Sequence, residues 1–246
     1  MKIGQFYTWK NIDEKMNIVV KLIETSNVNL SNRIIETTNS QSQVMKEALV
    51  SMRPFHRKIE DFFTVMREKG YEYYYERRSH QYDDYTIKKN HIISIPSLIK
   101  AFVSVVLSEP HKVHYYYGSL IKDYIENDGK EKDYLFNDAQ HPEMYFIAHY
   151  IVNLCGKRIK NNKKLRPWLY HMAFLIKEDL LPQLRYSNDY TDKNIQDFIE
   201  KLDGEFVASF EKNKNLITKM QFKENENRLD VNTKKLKNEL YKTNNN

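Results

Sequence analysis

From Ile59 the apolar positions recur at Phe62, Phe63 and Met66, an i, i+3, i+4, i+7 pattern that sets four side chains on one helical face. Gly70 ends that run. Tyr71, Tyr73 and Tyr75 then alternate with Glu72, Tyr74 and Glu76, the period of a short strand. A polar excursion from Ser79 to Asn90 leads to Ile92-Ile93-Ser94. Pro96 opens a helix through Leu98, Ile99, Phe102, Val103, Val105, Val106 and Leu107 to Glu109-Pro110. Apolar on nearly every side, it is the expected central helix. Helices are also predicted over about 142–155 and 168–181. A further helix over about 192–213 carries Ile195, Phe198, Ile199, Leu202, Phe206, Val207 and Phe210 at helical spacing. After Leu216 the chain turns Lys/Asn/Glu-rich and reads as a frayed helix and polar tail.

At the other end, Met16 to Glu24 is β-branched and apolar enough for a buried strand. Asn29 to Glu36 reads as a short helix with Leu30, Ile34 and Ile35 inward, delivering the chain to the polar run Thr37–Val44. A single strand makes no stable sheet, so this unit reads as the end of a domain whose start lies elsewhere. The expected fold is α+β, mainly α-helical, with a small β contribution near residues 16–24 and 71–78. Residues 1–44 would be the remnant end of an N-terminal α/β domain, 45–215 a helical region and 216–246 a polar tail.

Composition narrows the class. With 41% hydrophobic and 13% aromatic residues the chain can bury a core, which excludes global disorder. Only six glycines and six prolines argue against a turn-rich all-β fold. The single cysteine, Cys155, lies in the apolar run from Ile151 and reads as a buried thiol. It allows no internal disulfide, which suits a reducing cytoplasm. Residues 1–10 lack the apolar stretch of a secretory signal. Ile92 to Leu107 is interrupted by Ser94, Pro96, Ser97, Lys100 and Ser104, short of the ~20 apolar residues that span a bilayer. A soluble, cytoplasmic protein without membrane contact is expected.

Net charge is +6, and the excess is uneven. Lys157, Arg158, Lys160, Lys163, Lys164 and Arg166 follow one another with no acid among them. Such a block favours a polyanion, although a solvated lysine-rich loop has the same composition. In Thr37–Val44 the short hydroxyl and carboxamide side chains end helices and build turns. They are also uncharged donors and acceptors suited to a base edge or a phosphate. Tyr73-Tyr74-Tyr75-Glu76-Arg77-Arg78 has two readings. Tyr73 and Tyr75 pack inward with Glu76 bracing one arginine, or exposed rings stack bases while Arg77 and Arg78 hold phosphates.

Other chemistry is weakly signalled. His111 and His114, or His141 and His149, complete no metal-ligand set, and no glycine-rich phosphate loop occurs, so no metal or cofactor is expected. Asp128, Lys130, Glu131 and Lys132 have the residue types of a metal-dependent nuclease but sit in a loop-like segment. Arg166 and His171 have the Arg-x4-His spacing of helical HEPN ribonucleases, where an arginine and a histidine meet across a dimer at a scissile phosphate. Here Pro167 replaces the usual polar residue, and Pro167-Trp168 reads as a helix start and core anchor.

Ile35-Glu36-Thr37-Thr38-Asn39-Ser40-Gln41, then Tyr74-Tyr75-Glu76-Arg77-Arg78, then Ile93-Ser94-Ile95-Pro96 and Ala101-Phe102, together resemble the AIPR family, named for abortive infection phage resistance. The resemblance runs from about Val19 to about Val152. It implies a bacterial or archaeal antiphage defence protein, often encoded beside restriction-modification genes. Asn39 and Gln41 match the polar positions of one family motif, and Glu76, Arg77 and Arg78 those of the second. Full-length members carry a long N-terminal part with an Asn-Gly-Cys-Gln-Thr-like motif, which nothing in Met1 to Lys15 matches. The resemblance therefore implies the C-terminal portion of such a protein, partnered by an N-terminal half or by restriction-modification components. The expected role is a nucleic-acid-contacting or regulatory module. The competing expectations are a ribonuclease using Arg166 and His171, and a protein–protein module completing a partner chain.

Overall fold

The computed structural model describes residues 51–114 apart from 52, 79 and 84, residues 135–185 apart from 139, residues 192–219 and 235–238, and single positions at 24, 26, 27, 30, 120 and 124. The chain divides into two compact units, Met1–Gln43 and Val44–Asn246. In the first unit, the Leu30 backbone N–H donates to Asn27 Oδ1 at 3.1 Å. The strand expected over 16–24 (but for Glu24), the helix over Asn29–Glu36 (but for Leu30), and the turn carrying Asn39 and Gln41 lie outside the described residues.

The second unit is mainly helical with one small sheet. Helix α1 (Phe55–Glu68) buries Phe55, His56, Ile59, Phe63 and Met66. It ends because Gly70 can take φ 95. The Gly70 N–H then reaches Arg67 O at 2.9 Å and the Tyr71 N–H reaches Met66 O at 3.0 Å, satisfying the last carbonyls. Strand β1 (Tyr74–Glu76) pairs in parallel with β2 (Ile92–Ser94), in the register Tyr74↔Ile92, Tyr75↔Ile93 and Glu76↔Ser94. Tyr75 and Ile93 are buried while the residues on either side are half-buried, so one sheet face meets the core.

Helix α2 (Ile95–Val105) follows β2 without a loop. The Ser94 side chain accepts from the Ser97 N–H at 3.5 Å, and Pro96 sits in the first turn where no N–H is needed. Its buried residues surround the axis, as expected of a central helix. It is shorter than expected. At Leu107 the N–H turns back to Phe102 O and Ser108 takes φ 59, so the helix closes before Glu109-Pro110.

Helix α3 (Pro142–Ile159) packs against α1, α2, α4 (Leu169–Leu180) and α5 (Asp192–Lys219). Its Tyr145 ring stacks on Phe102 at 4.2 Å, and the Tyr145 hydroxyl donates to Gln140 Oε1 at 2.6 Å. Cys155 is fully buried here. Relative to the spans expected from sequence, α3 runs about a turn longer, carrying Lys157 and Arg158 into its last turn. Helix α5 also continues, to Lys219, because Ile217 finds a buried seat. Leu236, within the stretch read as a polar tail, is likewise buried.

Candidate functional site

The basic block occupies the end of α3 and the turn that leads to α4. Lys157 and Arg158 lie in the last helical turn, where cations offset the negative end of the helix dipole. Beyond it Asn162 Oδ1 accepts the N–H groups of Lys164 and Leu165 at 3.1 and 3.2 Å, fixing the turn, and Leu165 buries its side chain as an anchor. Arg166 donates through Nε and Nη2 to the Lys160 carbonyl at 3.2 and 2.7 Å, so its guanidinium ties the turn back to the helix end. Lys157, Arg158, Lys160, Lys163 and Lys164 are exposed. Among the described residues none of these five makes an ion pair or a side-chain hydrogen bond. A concavity of about 270 Å³, lined by Gly156, Ile159, Lys160, Arg166 and Leu169, opens beside them.

Arg166 and His171 are close in sequence but differ in setting. Arg166 is exposed in a 3-10 turn, Arg166–Trp168. His171 is 1% exposed inside α4, its ring edge-on to Trp168 at 5.1 Å. Within one chain the pair therefore does not present two side chains to a solvent-borne phosphate. Pro167 and Trp168 lead into α4 as expected, with Trp168 half-buried against the core.

The tyrosine-arginine motif divides by face. Tyr73 and Tyr75 point inward, at 6% and 0% exposure, which overturns base stacking by these two rings. The Tyr73 hydroxyl donates to Asn153 Oδ1 at 3.1 Å, and Tyr75 OH bonds His56 Nδ1. Tyr74 stays at the rim with the Arg67 guanidinium over its ring at 4.7 Å. Of the two readings, a carboxylate bracing an arginine holds for Arg77, but the carboxylate is Glu60, with Oε2 at 3.0 Å, rather than Glu76. The reason is geometric: Glu60 lies on the flank of α1, and α1 packs against β1. Gln81 completes the bridge, its Nε2 donating to Glu60 Oε1 at 2.7 Å and its Oε1 accepting from the Arg77 and Arg78 N–H groups, both at 3.1 Å. Arg78 is exposed. Sequence reasoning missed Glu60, Gln81 and Tyr82. The only signal for them was an isolated acid beside the apolar stripe of α1 and a Gln-Tyr pair soon after the two arginines. Asn39 and Gln41 lie outside the described residues, and so do Asp128, Lys130, Glu131 and Lys132.

Buried ionisable groups sit elsewhere in the core. Burial holds His149 down at about 4 and His56 at about 3, the latter helped by Arg53 and Arg77. Lys177 and Glu178 pair at 2.7 Å with both side chains 1% exposed, and Lys177 also donates to Ser108 Oγ at 3.1 Å. Burial lowers the Lys177 pKa against the opposing pull of Glu178. Among the described residues no three His, Cys, Asp or Glu side chains are grouped to hold a metal ion, and no helix is long and apolar enough to cross a membrane.

The profile of a protein family described as AIPR protein matches residues 3–246, well beyond the stretch spanned by the motifs. No curated protein and no solved structure matches the chain. The chain belongs to the AIPR family and is an abortive-infection, antiphage-defence-related protein.

Proposed function

We propose that this AIPR-family chain is a nucleic-acid-contacting module whose main contact is the basic ridge Lys157–Arg166. One observation carries the reading. Five exposed cations crowd one helix end and its following turn, with no counter-ion among the described residues. Lys157 and Arg158 have a local task at the helix terminus, but Lys163 and Lys164 lie past it and serve no carbonyl or acid among the described residues. Cations left without acids raise the local potential, and a phosphate backbone is drawn to them because neutralising its charges releases its condensed counterions. The acidic partner is thus expected to be a polymer of phosphates.

Fluorescence anisotropy with labelled duplex and single-stranded oligonucleotides tests this. With about four to six phosphate contacts, log affinity should fall with log salt by about 0.9 per contact on duplex DNA or about 0.7 on single strands. Affinity independent of salt, or no binding at low salt, would remove the proposal.

A further inference from the structure

Parallel pairing of β1 and β2 requires a long connection, and residues 77–91 provide it and carry a half-buried Tyr82 and an exposed Tyr85. Successive turns shape this segment: the Gln81 N–H bonds Arg78 O at 3.0 Å and the Tyr85 N–H bonds Tyr82 O at 3.0 Å. His80, inside the first turn, takes φ 63, a left-handed conformation uncommon for a non-glycine residue. The segment is tied to the fold by the Glu60–Arg77–Gln81 bridge and by the Tyr82 hydroxyl, which donates to Tyr75 O at 3.2 Å. Tyr82 is thereby set edge-on to Tyr74 at 5.6 Å, and Tyr85 edge-on to Tyr82 at 5.9 Å.

An edge-to-face contact positions both rings and covers at most one face of one of them. Tyr85 makes one such contact, with Tyr82, and remains 64% exposed, so a ring face is available to a ligand. Positive charge meets the row at Tyr74. Arg67 lies over Tyr74, and Arg78 is exposed with no ion pair among the described residues. Among the described acids nearby, Glu60 is held by Arg77 and Gln81, and Asp83 bonds His80 at 2.7 Å. Glu76 shares the outer sheet face with Tyr74, which disfavours a dense double row of phosphates there and suits contact with bases.

We infer that Tyr82 and Tyr85, with Arg67 at the Tyr74 end of the row, form a stacking surface for the unpaired bases of single-stranded nucleic acid. This rests on the nucleic-acid reading above and adds a strand-type preference that a cation ridge alone does not supply. Flat rings stack on any base because every base has a π-face, and arginine supplies both a second planar surface and a phosphate contact.

The test measures binding of labelled oligodeoxythymidylate, the same backbone with abasic sites, and a duplex, to wild type, Tyr85→Ala and Tyr85→Phe. Tyr85 is largely in water, so neither variant disturbs the core. Tyr85→Ala should bind the thymidylate strand about 5- to 100-fold more weakly, with duplex affinity and salt slope kept. Tyr85→Phe should bind like wild type, and wild type should prefer the base-bearing strand to the abasic one. Unchanged strand binding by Tyr85→Ala with the salt slope intact would overturn the stacking surface alone. Loss of phage protection in that variant without a change in strand binding would also overturn it, by assigning the rings to a protein partner. No binding of any nucleic acid by wild type would overturn both readings.

Discussion

Arg77 and Arg78 adjoin in sequence, yet removing them should have opposite consequences. The Arg77 guanidinium donates to Glu60 Oε2 at 3.0 Å, with side chains 14% and 27% exposed. A fully exposed pair is worth about 0–1 kcal/mol, and breaking a fully buried one costs about 3–5 kcal/mol. This pair lies between, and Gln81 shares the same carboxylate at 2.7 Å, so Arg77→Ala is expected to cost about 2–3 kcal/mol. For a protein of this size that is a fall in Tm of about 4–12 °C. Arg78 has an exposed side chain, so Arg78→Ala should stay within about 0.5 kcal/mol of wild type. Thermal and urea melts of both variants, with Glu60→Gln and the Glu60→Gln/Arg77→Ala double variant, form a cycle that isolates the pair. A coupling near zero, or equal melts for Arg77→Ala and Arg78→Ala, would refute the bridge. The difference should also survive about 0.5 M salt, because a partly buried pair is weakly screened.

Burial keeps His149 neutral, with a pKa of about 4 against 6.5. The unfolded chain takes its proton near 6.5 and the folded one only near 4, so the stability tied to neutral His149 is full above pH 6.5 and is lost as pH falls toward 4, by at most about 1.4 kcal/mol per pH unit. Neither ring nitrogen has a hydrogen-bond partner among the described residues, so His149→Phe should hold stability at pH 7 and lessen the loss between pH 6 and pH 5 in urea melts; an unchanged acid limb would contradict it. Gly156 sits in α3 with only Leu169 Cδ1, at 4.0 Å, near an added Cβ, so Gly156→Ala should stabilise by about 0.5–1 kcal/mol by denaturant titration. RNA incubated with the purified protein should stay intact; cleavage that is lost on His171→Ala with the fold preserved would restore the ribonuclease reading.

Much of the helical scaffold was legible because its apolar spacing is regular. The Ile59–Met66 stripe, the Pro96 start and the Ile195–Phe210 face each map onto an observed helix. Helix ends were less legible because they depend on tertiary partners, as where Ile217 extends α5 and Ser108 closes α2 early. The parallel register of β1 and β2 was hidden for a similar reason, since strands of three residues carry almost no pattern. The basic ridge could be read from composition, since it needs only charge without counter-charge. The role of Arg77 could not, because its partner Glu60 lies 17 residues upstream on another element. Tyr82 and Tyr85 stand within a stretch that reads only as a polar connection, because their ring contacts with Tyr74 and each other arise from the tertiary fold.

The most direct test of the ridge compares salt titrations of wild type and the Lys160→Gln/Lys163→Gln/Lys164→Gln variant on one labelled oligonucleotide. All three side chains are exposed and make no contact that the fold needs, so circular dichroism and Tm should match wild type. If these lysines touch phosphates, affinity falls and the slope of log affinity on log salt shrinks by about 2–3, close to 0.7–0.9 for each contact removed. A variant with the affinity and slope of wild type would show that the ridge is a solvated helix end and that nucleic acid, if bound, is held elsewhere.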